Sequence, residues 1–572
     1  MDRTERLLRV GYLPSQLPPP FTTAMLADHY IHLKARWSTL SKVAPLSKAE
    51  LFSVARAGHQ RRSISLANPV AQTFLSAQIS VYWGKFVQHY RKSRFSTSHP
   101  RFLPKGGRAA NVPSMGSLFE KKVLLSAGFK FMLRTDISRF FPTIYTHAVP
   151  WSLHGKAVAK KNRHKLTATF FGNLIDQALR QGQDGQTIGI PIGPDTSHVI
   201  AEAISTSLDL ALRARLKQWP IGFRYVDDYF MFFQTMSECE GALAALTRVL
   251  KEFELQLNFE KTKIASVAEI SEDYWTHQLR SFKLDSVGKQ QRSDIHHFFD
   301  LAKDLARKNA DENVMKYALK RAASILVQKV NWDVFEAHVC HIALNYPNTL
   351  QTVAQVLGTY HHHGFPLDKA RLNRLINVLV QDHAPLGHHS EVAWALWICK
   401  NLKLRLERGN IDAVSEMHSS VCALMLMDLE ASMILLKPPK RTYWAQFMTT
   451  DALQEDLWLM TYEAGVRSWS GFNDAHVLAD GHFRELRALN VRFYDTAAVT
   501  PLLFDIRVGA LAELQLQSPA ELFERDDAAN YLEYHDEDSG YDGVNVEEFD
   551  VIDTEVVPDW LQEAAGKQLP QP

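Results

Sequence analysis

The apolar residues of this chain of 572 residues follow one pattern in the first half and another in the second. In the first half, short β-branched and aromatic runs lie between amphipathic stretches, which predicts strands among helices. Strand character is expected over residues 129–135, and helical spacing over residues 22–37, 71–90, 195–217 and 239–257. From about residue 281 to residue 517 the apolar positions keep helical spacing, with breaks at prolines. The pattern therefore predicts an α+β half followed by an irregular helical stack of solenoid type.

The most informative stretch of the first half is residues 223–233, FRYVDDYFMFF. Two apolar runs flank the adjacent carboxylates Asp227 and Asp228, which predicts a strand, a tight turn and a second strand. Neighbouring aspartates are costly to bury unless a cation neutralises them, and Mg²⁺ prefers such hard oxygen ligands. An ordinary hairpin with an acidic turn is the alternative, because aspartate is common in turns.

Other candidate residues lie before and after this hairpin. The strand predicted at residues 129–135 ends at Asp136, and Phe141 follows five residues later. A Gly-rich basic loop that ends at Arg108 is of the kind that binds phosphates, although an exposed loop is the simpler interpretation. The rigid Gly-Pro turn at residues 189–194 includes Gly193. We expect Asp195, Thr196 or Ser197 to cap the helix that follows this turn.

Composition and charge narrow the class of protein. The four cysteines are widely spaced without a C-x-x-C pair, which favours buried thiols in a reducing cytoplasm. No signal peptide and no apolar run long enough to cross a bilayer is present, so we expect a cytoplasmic protein without a membrane partner. Residues 521–572 hold 16 acidic and 2 basic side chains, which leaves a charge of +15 on the preceding residues. A basic body suits a polyanionic ligand, and the acidic end is expected to be flexible.

Taken in order, four segments of the chain resemble motifs A, B, C and D of reverse transcriptases. These segments are Asp136 with Phe141, residues 189–194, residues 225–228 (YVDD) and residues 257–263. The resemblance implies nucleotidyl transfer at two Mg²⁺ ions, with Mn²⁺ as the alternative metal. The catalytic residues it implies are Asp136, Asp227 and Asp228, and the metal site it implies consists of Asp136, Ile137, Asp227 and Asp228. The nucleotide-binding residues are expected to be Phe141, which would exclude a 2′-hydroxyl, together with Arg108, Gly193 and Lys261.

A narrower resemblance links the chain to the defence-associated and abortive-infection reverse transcriptases of bacteria, the AbiK-like branch. Residues 136–156 and several helical segments, such as residues 389–397 (HSEVAWALW), carry this similarity. It implies a right-hand polymerase palm and fingers at residues 1–280, an all-α HEAT-like repeat region at 281–520 and an acidic tail at 521–572. It also implies phage defence, dNTP substrates, a trimeric or hexameric homo-oligomer, and single-stranded DNA attached to the protein through a tyrosine.

Some features depart from templated reverse transcriptases and leave alternatives open. Ile192 stands where these enzymes carry a glutamine in motif B, and motif D lacks its usual glycine. These differences favour untemplated, protein-primed synthesis over an enzyme that copies a partner RNA. The motifs do not identify the priming tyrosine. The candidates for this role are Tyr30, Tyr531, Tyr534 and Tyr541. A third hypothesis is an inactive palm with a helical protein-binding module.

Overall fold

A four-stranded antiparallel sheet occupies the centre of the first half of the chain. The computed structural model describes residues 2–58, 60–112, 118–270, 274–284, 288–310 and 313–504. The eight strands are β1 (Glu50–Ala55), β2 (Arg61–Leu66), β3 (Arg101–Phe102), β4 (Ala110–Asn111), β5 (Phe131–Thr135), β6 (Ile221–Tyr225), β7 (Asp228–Phe233) and β8 (Lys263–Ser266). The central sheet has the order β6-β7-β5-β8, while β1 pairs with β2 and β3 pairs with β4.

Eleven of the described helices accompany these strands. They are α1 (Arg3–Arg9), α2 (Ala24–Leu40), α3 (Pro69–Tyr90), α4 (Leu118–Ser126), α5 (Phe140–Thr143), α6 (Ala148–His154), α7 (Lys156–Lys161), α8 (Phe171–Gln181), α9 (Asp195–Leu216), α10 (Met236–Glu252) and α11 (Tyr274–Ser281). Helix α10 packs against β5 and β7, and α9 packs against α3, α6 and α10. The strand and helices expected from apolar spacing are confirmed, with shifts of a few residues at their ends.

The later part of the chain is helical throughout its described residues. Its helices are α12 (Gly288–Lys308), α13 (Val314–Ala323), α14 (Trp332–Asn345), α15 (Leu350–His362), α16 (Lys369–His383), α17 (His389–Leu402), α18 (Arg408–Ser415), α19 (Ser420–Ala431), α20 (Thr442–Ala445), α21 (Trp458–Arg467), α22 (Ala475–Ala479) and α23 (Phe483–Ala488). From α12 to α17, each helix packs against the one two positions further along the chain. This pattern confirms a stack of helices, as in solenoids. The finer assignment to HEAT-like repeats stays a prediction.

The buried apolar side chains of the described residues form two clusters. One cluster surrounds the sheet and α9 and draws mainly on residues 75–257. The other joins residues 8–74, including Trp37 and Phe52, to the helices at residues 275–494. The N-terminal segment therefore packs with the helical stack. The domain boundaries stay a prediction, and the acidic tail at 521–572 lies outside the described residues.

The four cysteines are buried free thiols, as their spacing predicts. None of the helices within the described ranges combines the length and the apolar character that a membrane span needs.

Candidate active site

The turn between β6 and β7 has a strained backbone. Strand pairing joins Tyr225 to Asp228, so that Val226 and Asp227 form a two-residue turn. Val226 has a φ of 52°, in the left-handed region that a β-branched residue rarely adopts and that costs about 1–3 kcal/mol. Two hydrogen bonds hold it there: Val226 N donates to Ser98 Oγ at 2.7 Å, and Arg224 Nη1 donates to Val226 O at 2.7 Å. The tip that carries Asp227 is thus fixed from both sides of the turn.

Strand register brings the three predicted carboxylates to one end of the sheet. Thr135 of β5 pairs with Tyr229 of β7, so Asp136 and Asp228 lie at neighbouring strand ends. Asp136 and Asp227 are each 2% exposed, whereas Asp228 is half-buried. The motif A and motif C aspartates therefore lie at the same end of two neighbouring strands. Only the resemblance implied this arrangement.

The electrostatics of Asp228 reflect this convergence. The pKa of Asp228 is raised to about 6, mainly by burial and additionally by the negative charge of Asp136. The cations Arg134, Lys261 and Lys122 oppose this rise without cancelling it. Arg134 and Lys122 were not among the residues predicted from the sequence. Arg134 could have been found from its position, because it directly precedes Thr135 on the strand that leads to Asp136.

The segment that resembles motif D contacts Asp136. Lys261 Nζ lies 3.4 Å from Asp136 Oδ2, and its side chain is 35% exposed. Asn258 Nδ2 lies 3.5 Å from the same oxygen, and Asn258 N donates to Asp136 O at 3.0 Å. Lys261 is therefore placed to neutralise charge beside the carboxylates and remains accessible to a ligand. Asn258 was not predicted, although it belongs to the quoted motif.

Ile137 offers only backbone atoms to a ligand. It forms an antiparallel bridge with Leu257, in which Ser138 N donates to Gln256 O and Asn258 N donates to Asp136 O. In this type of pair, the bridged residues turn their own N–H and C=O groups away from the partner. The carbonyl of Ile137 consequently faces the side of β5 on which β7 lies.

The donor set fits hard divalent cations. The three aspartates and the carbonyl of Ile137 supply oxygen only, which is the donor chemistry that Mg²⁺ prefers. The aspartates are not clustered tightly enough for one oxygen from each to lie within 4.8 Å of the other two.

Phe141 is part of the packed interior in this conformation. It belongs to α5, is 2% exposed, and its ring lies 5.0 Å from the ring of His198 on α9. Phe141 O accepts a hydrogen bond from Ile190 N at 3.0 Å, which ties motif A to the Gly-Pro turn. The role of Phe141 in excluding a 2′-hydroxyl stays a prediction.

Arg108 and Gly193 are engaged in a structural contact. Arg108 Nε donates to Asp195 Oδ1 at 2.8 Å, and Arg108 Nη2 donates to Gly193 O at 2.8 Å. A side chain at Gly193, where φ is 121°, would collide with Pro14. The basic loop is therefore docked on the N-terminus of α9, and the nucleotide-binding roles of Arg108 and Gly193 stay predictions.

The predicted cap of α9 is wrong. Pro194 is the capping residue, and no side chain caps the helix. The carboxylate of Asp195 instead binds Arg108 and accepts hydrogen bonds from the amides of Ala109 and Ala110 at 2.9 and 3.0 Å. The loop at residues 108–110 therefore binds the carboxylate of Asp195, which the sequence pattern had assigned to capping α9.

A buried ion cluster next to the hairpin was not anticipated. Arg224, which is 0% exposed, lies between Glu202 and Asp209 of α9. Its guanidinium donates to Glu202 Oε1 and Oε2 at 2.9 and 3.0 Å, and to Asp209 Oδ1 and Oδ2 at 2.9 Å each. Ser93 Oγ donates to Asp209 Oδ2 at 2.7 Å. Because Arg224 also binds Val226 O, the cluster anchors the strained turn to α9.

Of the candidate priming tyrosines, the described residues include only Tyr30. It is 9% exposed, and its hydroxyl donates to Asp2. The candidates Tyr531, Tyr534 and Tyr541 lie outside the described residues.

Comparison with known proteins gives structural similarities but no sequence match. No protein-family model matches the chain, and no curated protein matches it in sequence. Apo telomerase from Candida tropicalis is similar over 66% of this chain and 70% of that chain, with a TM-score of 0.30 and 10% identity. Telomerase from Candida albicans, in complex with a fragment of telomeric RNA, is similar over 64% of this chain and 68% of that chain, with a TM-score of 0.28 and 12% identity.

Proposed function

We propose that this chain is a nucleotidyltransferase of reverse transcriptase type, which synthesises DNA from dNTPs. The observation that carries the proposal is the convergence of Asp136, Asp227 and Asp228 at the ends of the adjacent strands β5 and β7. Lys261 lies within 3.4 Å of this group, and its side chain is partly exposed. Bringing three carboxylates to one place in a largely buried environment is unfavourable for stability alone and suits a site that holds divalent cations.

The side chains around this group have distinct roles in the proposed reaction. Asp136, Asp227, Asp228 and the carbonyl of Ile137 would hold two Mg²⁺ ions, or Mn²⁺ in their place. Bound metal supplies Lewis-acid stabilisation of the attacking and leaving oxygens. Lys261 neutralises charge on the departing pyrophosphate, and the ring of Phe141 limits space at the sugar. The anchored turn at Val226 keeps the Asp227 carboxylate in position.

The finer proposal is protein-primed and template-independent synthesis. Single-stranded DNA would grow from a tyrosine hydroxyl, in a homo-oligomer that acts in defence against phage. Its support is the resemblance to abortive-infection reverse transcriptases and the presence of Ile192 where templated enzymes carry glutamine. The carbonyl of Ile192 accepts a hydrogen bond from Ser65 N at 2.8 Å, which joins the motif B turn to β2.

The test uses the full-length purified protein with labelled dNTPs, with and without Mg²⁺, and without added primer or template. We expect metal-dependent incorporation into a product that migrates with the protein on a denaturing gel. DNase should remove the label, whereas RNase should leave it unchanged. A matched pair of variants completes the test: Asp227→Asn should abolish incorporation, while Glu240→Gln, which changes an exposed carboxylate on α10, should retain it.

The rival hypotheses give different results in the same assay. Synthesis that requires added RNA, with a product complementary to that RNA, would identify a templated enzyme. Absence of metal-dependent incorporation in the wild-type protein would contradict nucleotidyl transfer and favour an inactive palm joined to a helical binding module.

A further inference from the structure

A second cluster of ligating side chains lies in the helical region, away from the carboxylate site. His383 ends α16, His388 precedes α17, and Glu391 lies in the first turn of α17. One ligand atom from each of these three residues lies within 4.8 Å of the other two. Within the ranges that the structure describes, this is the one group of three His, Cys, Asp or Glu side chains that meets this limit.

The three atoms have the spacing of metal ligands. His383 Nδ1 lies 2.9 Å from His388 Nδ1. Glu391 Oε1 lies 3.9 Å from the first nitrogen and 3.7 Å from the second. Tetrahedral zinc with bonds of about 2.0–2.1 Å separates its ligand atoms by about 3.3 Å. The observed separations lie on both sides of this value, so small side-chain rotations suffice to place one ion between the three atoms.

A hydrogen bond between two neutral imidazoles explains only part of this arrangement. It accounts for the 2.9 Å contact between the two nitrogens. It does not account for the carboxylate oxygen, which lies beyond hydrogen-bond distance of both rings.

Glu391 is held in place from its other side. Arg61 Nη1 donates to Glu391 Oε1 at 2.6 Å, and Arg61 Nη2 donates to Glu391 Oε2 at 2.9 Å. Ser390 Oγ donates to Glu391 Oε2 at 2.7 Å. Carboxylates that bind metals are commonly oriented by such outer hydrogen bonds. Oε1 accepts this one donor from Arg61 and retains lone-pair capacity on the side of the histidines.

We propose that His383, His388 and Glu391 bind one Zn²⁺ ion. Two imidazole nitrogens and one carboxylate oxygen suit zinc, whereas Mg²⁺ prefers oxygen ligands alone. Three protein ligands leave the fourth tetrahedral position to water, and both histidines are partly exposed to solvent. The site is independent of the proposed nucleotidyl transfer.

The position of the site indicates a structural role. Arg61 belongs to β2, and Ser53 N of β1 donates to His389 Nδ1 at 3.2 Å. Ala55 N donates to Ser390 Oγ at 3.1 Å. The start of α17 is thus the place where the β1–β2 hairpin is attached to the helical stack. Zinc at this place would fasten the turn between α16 and α17 and, through Glu391 and Arg61, hold the hairpin against it.

The test is metal binding by the full-length protein after dialysis against a chelator. We expect one equivalent of Zn²⁺ to bind, and Co²⁺ in its place to give the visible absorption of a four-coordinate ion. His383→Ala and His388→Ala should each lose this equivalent. Zinc should raise the melting temperature of the wild type and should leave that of the variants unchanged.

Two controls separate this site from other metal-binding groups. His296→Ala removes a second histidine pair, in which His338 Nε2 lies 3.1 Å from His296 Nδ1, and should retain the zinc equivalent. The Asp136→Asn/Asp227→Asn protein should also retain it, because the carboxylate site is separate. Failure of nucleotidyl transfer therefore has no bearing on this test.

Two results would overturn the proposal: the absence of zinc binding by the wild type, or its persistence in both histidine variants. If the variants fail to fold, X-ray absorption of the zinc-loaded His296→Ala protein decides. A shell with two imidazoles supports the site, and any other shell contradicts it.

Discussion

Two clusters of buried charge lie on opposite sides of strand β7 and differ in how their charges are balanced. On the side of β6, Arg224 forms fork-like hydrogen bonds with both Glu202 and Asp209. On the side of β5, the cations Arg134, Lys261 and Lys122 lie near Asp228, and Lys261 is 3.4 Å from Asp136. The guanidinium of the first cluster donates to both of its carboxylates, whereas in the second cluster the pKa of Asp228 stays raised despite these cations.

In our proposal, this difference separates a structural cluster from a metal-binding cluster. Arg224, hydrogen-bonded to both carboxylates and to Val226 O, holds its surroundings in one geometry and fixes the strained turn at Val226. Burial and the negative charge of Asp136 raise the pKa of Asp228, so a divalent cation bound beside it would stabilise the ionised form. The same hairpin therefore carries an anchor at Arg224 and, at Asp227 and Asp228, carboxylates proposed to bind metal.

The largest effect is expected from removing the anchor. Arg224→Met leaves Glu202 and Asp209 buried without their cation, which should lower the free energy of unfolding by about 3–5 kcal/mol. Urea denaturation measures this change. The control is Arg292→Met, because Arg292 pairs with Asp333 at an exposed site where such a bond contributes less than about 1 kcal/mol. Equal losses in the two variants would show that the buried cluster is not an anchor.

Removal of a negative charge on the other side of β7 is expected to lower activity and to leave stability unchanged or slightly higher. Asp136→Asn should reduce nucleotide incorporation by at least about 10²–10³-fold, since the carboxylate acts in the transition state. In metal-free buffer the same variant should be slightly more stable than the wild type, because a like charge next to Asp228 is removed. Incorporation at the wild-type rate, measured beside Glu240→Gln, would contradict the site assignment.

A pH titration of stability tests the raised pKa of Asp228 directly. The pKa of Asp228 rises from 3.8 to about 6 on folding, so the folded state binds the proton more tightly. Stability in metal-free buffer should therefore be highest below pH 4 with respect to this group, and should fall by about 1–3 kcal/mol as the pH rises to about 6. Above that range the contribution is constant.

Asp228→Asn isolates this contribution from those of other groups. The difference in unfolding free energy between wild type and variant, from urea denaturation at each pH, should change between pH 4 and pH 6. A constant difference over this range would mean that the carboxylate titrates normally and that the negative charge is balanced.

The smallest effect is expected at the sugar. Phe141→Val should lower the preference for dNTPs over rNTPs by about tenfold, or 1.4 kcal/mol, because the ring limits space for a 2′-hydroxyl. The ratio of incorporation efficiencies for the two nucleotides measures this preference. Phe140→Val is the matched control, since Phe140 is equally buried and contacts Phe141. An unchanged ratio, or an equal change in the control, would show that Phe141 is only a core residue.

The sequence by itself determined the local elements of this protein. Apolar runs rich in aromatic residues on both sides of Asp227 and Asp228 predicted the hairpin, and the run before Asp136 predicted β5. Helical spacing predicted α9 and the later helices. These predictions succeed because strand and helix periodicity depend on residues that are close in the chain. The motif order also indicated which aspartates to examine, although no local pattern shows that they meet.

Only the tertiary structure decided which distant residues are partners. Arg61 reaches Glu391 across 330 residues, and Asp195 binds Arg108 instead of capping its own helix. Residues 8–74 share a core with the helices at residues 275–494. The change of pattern near residue 280 does not predict this contact. Such contacts depend on chain topology and on which buried charges find a partner. The free energy of these contacts comes from desolvation and from charge pairing between elements that are distant in the chain. The spacing of apolar residues along the chain therefore does not predict them.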